Sequence, residues 1–84
     1  MLMKEERASS KIPLLRAILE VIASKPEGLS ESRLEAVLKK EYGMDFSRAE
    51  MYHALMKLEL QGLIQVEFVG KELSIKPSQS LYQS

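Results

Sequence analysis

Few side chains in this sequence could do covalent or metal chemistry. It has one histidine, His53, one aspartate, Asp45, and no cysteine. Without cysteine there is no disulfide framework, thiolate zinc site or thiolate nucleophile. A serine nucleophile needs a histidine base oriented by an acid, and a single histidine leaves little choice for that role. Glu50 and His53 stand three residues apart, which on a helix brings them to neighbouring positions as an acid/base pair. No glycine loop for phosphate, nucleophile motif or metal-ligand cluster accompanies them. A solvated helix surface accounts for the pair better. The expectation is a protein that is not an enzyme and needs no cofactor and no metal.

The chain has 84 residues, 45% of them hydrophobic and 29% charged, the composition of one ordinary globular domain. No apolar run approaches the ~20 residues that span a bilayer, and the opening MLMKEERASSK lacks the apolar centre of a signal peptide. The expected location is therefore cytoplasmic, with no membrane partner. Twelve basic and twelve acidic side chains cancel to a formal net charge of zero. Phosphate binding is driven by Lys and Arg contacts that release counterions, so nucleic-acid binding by this chain would depend on where its charges sit.

The elements follow from periodicity. Ile12, Leu15, Ile18, Leu19 and Ile22 are spaced as one helical stripe, with Pro13 in the first turn and Ser10 available as a cap. Lys25-Pro26-Glu27-Gly28 stops this helix, which covers about 12–24. Ser30 caps a second helix, with Glu31 favourably placed at the positive end of its dipole. Leu34, Val37 and Leu38 are its buried stripe, and Gly43 follows its end. Ser47 with Glu50 forms a capping box for a third helix over about 47–61, whose inward face is Met51, Tyr52, Leu55 and Leu58.

After Gly62 the period becomes two. Ile64, Val66 and Phe68 alternate with Gln65 and Glu67 as a half-buried strand, and Leu73 and Ile75 repeat the pattern after a turn at Val69-Gly70-Lys71-Glu72. The expected fold class is α+β, mostly α: three helices followed by a two-stranded β-hairpin, the parts of a winged helix-turn-helix. The domain occupies 12–77, with residues 1–11 an arm or short extra helix and 78–84 a polar tail. A four-helix bundle is disfavoured because no helical period follows Gly62.

The segment SRAEMYHALMKLELQGLI, Ser47 to Ile64, resembles the recognition helix of winged helix-turn-helix transcription regulators, PadR-like and related archaeal and bacterial repressors. Tyr52, Ala54, Leu55, Leu58, Gly62, Leu63 and Ile64 match that family's pattern in register, and the likeness extends loosely from Ile12 to about Ile75. It implies a DNA-binding transcription regulator that works on double-stranded DNA as a homodimer. The third helix would enter the major groove, and the hairpin would act as a wing. Arg48 becomes the candidate for a base edge or phosphate, because its planar fork binds either bidentately. Ser47 and Tyr52 become candidate phosphate contacts, His53 and Lys57 lie on the exposed face, and Lys71 and Lys76 are the cations available to the wing. The competing assignments are solvated charges for Arg48 and Lys57, a core ring for Tyr52, and an edge-protecting charge for Lys71.

The sequence departs from the family pattern at three positions. Glu50 stands where threonine is usual, either as the capping-box partner or as an acceptor for cytosine N4. Met56 and Leu60 stand where polar residues are usual and, with His53, form a stripe on the solvent side of the helix. Such a stripe points to a covered surface, and with the neutral charge it supports an alternative function as a winged-helix protein-protein interaction module. A dimer surface would come from the N-terminal arm, the first helix or the Leu81-Tyr82 pair.

Overall fold

A computed structural model of the chain describes residues 12–79. The N-terminal arm with Ser10, and the Leu81-Tyr82 pair of the tail, lie outside the described residues. In chain order the elements are α1 (Leu14–Ala23), β1 (Leu29–Ser30), α2 (Glu31–Lys40), α3 (Arg48–Leu60), β2 (Ile64–Val69) and β3 (Glu72–Pro77). Among the described residues the fold is thus α+β, with three helices and a three-stranded antiparallel sheet ordered β1-β3-β2, and it is compatible with a winged helix. No helix there is long and apolar enough to cross a membrane.

Each helix buries one stripe. In α1 the fully buried positions are Ala17, Ile18, Val21 and Ile22, while Ile12, Leu15 and Leu19 flank them half-buried. Pro13 sits one position earlier than the sequence suggests. It is the N-cap, extended at φ −62 and ψ 147, and its carbonyl accepts from the Ala17 N–H at 3.1 Å. In α2 the Ser30 side chain accepts from the Arg33 N–H at 3.3 Å, and Leu34 and Leu38 point inward. In α3 the expected capping box is present. Ser47 Oγ accepts from the Glu50 N–H at 3.1 Å, and Glu50 Oε1 accepts from the Ser47 N–H at 2.8 Å. Met51, Ala54, Leu55 and Leu58 then bury at helical spacing against α1 and β2.

The sheet corrects the two-stranded expectation. β1 pairs with β3 through Leu29↔Ile75 and Ser30↔Ser74, on the edge opposite β2. Two residues are too few to display the alternation that marks a strand in sequence. Gly28 makes the pairing geometrically possible. Its φ is +88, a region L side chains rarely adopt, and a Cβ there would meet the Ile75 carbonyl oxygen and Lys76 Cβ at 3.0 Å. The chain passes β3 this closely because the Gly28 N–H donates to the Lys25 carbonyl at 2.8 Å, closing the turn after α1.

β2 and β3 form the expected hairpin, from Ile64↔Pro77 to Val69↔Glu72, joined by a two-residue turn with Gly70 first at φ +66. Half-burial of β2 does not last its length. Ile64 is buried, Val66 intermediate, and Phe68 on the same face is 73% exposed, at the edge of an open cleft. Gly28→Ala combines a strained φ with a tight contact to β3. It is expected to lower unfolding free energy by about 1–3 kcal/mol, measured by denaturant titration. A loss within about 0.5 kcal/mol would show that β1 does not need this approach.

Candidate functional site

Glu31 is the buried charged residue among those described, at 5% exposure. The register explains its position. Continuing the antiparallel count past Leu29↔Ile75 and Ser30↔Ser74 brings residues 31 and 32 opposite 73 and 72. There the chain turns into α2, and side chains take over the ladder. The Glu31 carboxylate accepts from the Leu73 N–H at 2.6 Å. Reciprocally, Glu72 Oε1 accepts from the Ser32 N–H at 3.2 Å and from Ser32 Oγ at 2.6 Å. The second Glu31 oxygen accepts from the Tyr52 hydroxyl, which ties α3 to the same point. An edge N–H that would otherwise lack a partner is thereby satisfied.

These bonds set the electrostatics. The Leu73 N–H and then the Tyr52 hydroxyl, aided by the nearby Arg48 charge, hold the Glu31 carboxyl below its ordinary value of 4.5, against the opposing effect of burial. In turn the bond to Glu31 raises the Tyr52 hydroxyl above its ordinary 10.0.

Beside this anchor an open cleft of about 330 Å³ lies between α3 and the hairpin. Arg48 and Tyr52 line it from α3, Phe68, Lys71, Glu72 and Leu73 from the hairpin, and Glu31 from the start of α2. The structure thus brings together Arg48, Tyr52 and Lys71 of the sequence-derived site. Arg48 reaches Glu35 at 3.9 Å and stands 6.0 Å from the Tyr52 ring centroid. Arg48 is exposed and Glu35 half-buried, and at 3.9 Å the two are at the outer limit of ion-pair contact, so the pair holds Arg48 loosely. Tyr52 is 37% exposed, with its ring available and its hydroxyl committed to Glu31.

The other candidates lie apart. Ser47 uses an acceptor lone pair in the capping box, which leaves its O–H free to donate. His53 and Lys57 are exposed on α3 outside the cleft lining, Lys57 about 13 Å of helix rise beyond Arg48. Lys76 is exposed near the far end of β3, opposite Gln65, and does not line the cleft. Met56 at 55% and Leu60 at 86% exposure form the uncovered apolar stripe expected on α3. The sequence did not single out Glu31 as a structural carboxylate, or Phe68 as an exposed ring. Glu31 carries one readable signal. It precedes Leu34 by three and Leu38 by seven, which puts it on the buried stripe of α2.

The sign of the Glu31 effect follows from its depressed folded-state pKa. Its contribution is complete above pH 4.5 and is lost as pH falls from there through the folded value. Glu31→Gln is expected to cost about 2 kcal/mol at neutral pH, since one amide end presents a donor to donors. It should also flatten the loss of stability below pH 4.5, measured by denaturant titration on either side of that pH. An acid limb identical in both proteins would remove Glu31 from this role.

Among the described residues, no group of three or more His, Asp or Glu side chains is placed to hold a metal ion. Comparisons with protein-family models, curated proteins and solved structures find no match.

Proposed function

We propose that this chain is a winged helix-turn-helix transcription regulator that binds double-stranded DNA, with α3 in the major groove and the β2–β3 hairpin as the wing. The observation that carries this reading is the shared cleft. Arg48 on the first turn of α3 and Lys71 at the hairpin tip, both exposed, open on the same side of the molecule. The element order and the β1-β3-β2 sheet agree with the fold. Arg48 takes a base edge or phosphate, backed by the Tyr52 ring, and exchanges its weak Glu35 contact for the ligand. Ser47 donates its hydroxyl to a phosphate at the positive end of α3. Lys71 holds the backbone next to the wing, and Lys57 reaches only backbone. Two copies related by a two-fold axis would read half-sites one helical turn apart, in the cytoplasm and without catalysis.

Affinity for duplex DNA should then fall linearly with the logarithm of salt concentration. Replacing both Arg48 and Lys71 by alanine is expected to reduce that slope by about 2 and to weaken binding about tenfold or more, by fluorescence anisotropy. A double variant that binds like the parent at every salt concentration refutes this face.

A second reading, a protein-contact module, has one observation in its favour: the Met56/Leu60 stripe on the exposed side of α3. Under it the protein associates through this stripe. Leu60→Glu abolishes the association with an unchanged melting temperature, because Leu60 is outside the core. Sedimentation velocity at increasing concentration, with and without a candidate partner, measures it; a monomer throughout excludes self-association.

A further inference from the structure

We propose that the cleft between α3 and the hairpin tip takes an unpaired nucleobase, so that DNA with an unstacked base is the preferred ligand over continuous duplex. This rests on the DNA-binding reading above and names what that face selects.

Two aromatic rings from different elements line the cleft, Tyr52 from α3 and Phe68 from β2, at 37% and 73% exposure. Phe68 serves no core. It shares the Ile64/Val66 face of β2 but is exposed, and it is paired across the hairpin with Leu73. Exposed rings beside cations are the means by which proteins hold unstacked bases, because every base has a π face. The cations here are Arg48 and Lys71, exposed at the edges of the same cleft.

Two carboxylates line the same cleft. Glu31 is buried and Glu72 half-buried, and each carboxylate faces donors from its own chain. Carboxylates repel phosphate and accept from amino groups, so the sugar-phosphate chain stays at the Arg48 and Lys71 edge while a base enters. Glu72, which uses only Oε1 on Ser32, favours a base with an exocyclic amino group, cytosine N4 or adenine N6, over thymine, which presents carbonyl oxygens and one ring N–H. Charge balance points the same way. A chain with twelve basic and twelve acidic residues, whose candidate cations number few, has little counterion release to draw on. Stacking one base contributes about a tenfold gain and depends little on salt.

The test is fluorescence anisotropy with the whole chain and three labelled duplexes of one sequence: continuous, with a single cytosine bulge, and with a single thymine bulge. The cytosine bulge is expected to bind about tenfold tighter than the continuous duplex, with the thymine bulge between them. Phe68→Ala and Phe68→Leu should both remove the preference, the second because it keeps apolar volume without a flat ring. Circular-dichroism melts verify that both variants fold. Equal affinity for bulged and continuous DNA overturns the proposal and leaves duplex binding standing, as does a preference that survives both variants. Absence of binding to all three duplexes at low salt overturns the DNA reading itself.

Discussion

One buried carboxylate fixes how the two halves of this fold meet. β1 is two residues long, and on its own such a strand would leave the start of β3 with an unsatisfied edge. Glu31 supplies the missing acceptor for Leu73 and takes the Tyr52 hydroxyl with its other oxygen, so α2, α3 and β3 converge on one side chain. Burying a charge is costly unless donors replace water, and here a backbone N–H and a phenol replace it. Glu72 on Ser32 repeats the arrangement in reverse one residue on. These bonds tie the second turn of α3 and the start of α2 to the start of β3, beside the cleft.

The same economy recasts the neutral charge. Glu31, Glu50 and Glu72 all accept from backbone N–H groups, and Glu20 and Glu35 pair with Arg16, Lys39 or Arg48. Three of these carboxylates are thus engaged by backbone donors at helix starts or across elements. A sum over the sequence weights these carboxylates equally with the exposed Arg48 and Lys71, although their surroundings differ. The chain has no surplus of cations, however, and electrostatics alone supports only a few phosphate contacts.

The regular elements were legible because each rests on local rules. The Ser47/Glu50 capping box, the Leu34/Val37/Leu38 and Met51/Tyr52/Leu55/Leu58 stripes, of which Val37 is only half-buried and Tyr52 is exposed, and the alternation on either side of Gly70-Lys71 each depend on residues close in sequence. What escaped depends on pairing at long range. β1 exists because Gly28 allows the chain to pass β3, and that partner lies more than forty residues away. Glu31 was read for its favourable place at a helix N-terminus, which is correct and incomplete, since its acceptor role needs Leu73 and Tyr52. Phe68 was read as half-buried because alternation reports which face a residue is on, not whether that face is covered there. The cleft combines both failures. Its cations were foreseen one by one, while its aromatic walls and carboxylates follow from three-dimensional closure.

The apolar residues left outside the core bear on what kind of partner fits. On α3 the core stripe Met51/Ala54/Leu55/Leu58 is matched by Met56 and Leu60 on the far side, so the helix is apolar on two faces and only one is covered. Single exposed apolar residues are ordinary, but here Tyr52 and Phe68 add a third uncovered region at the cleft. Desolvating such surface yields roughly 25 cal/mol per Å², a gain that salt does not screen. Under the proposed nucleic-acid reading, a chain with no net charge would draw on apolar and stacking contact as well as on Arg48 and Lys71. On that proposal, a partner that offers only phosphates would meet the cations alone, while one that also offers flat, unstacked faces would meet the rings as well.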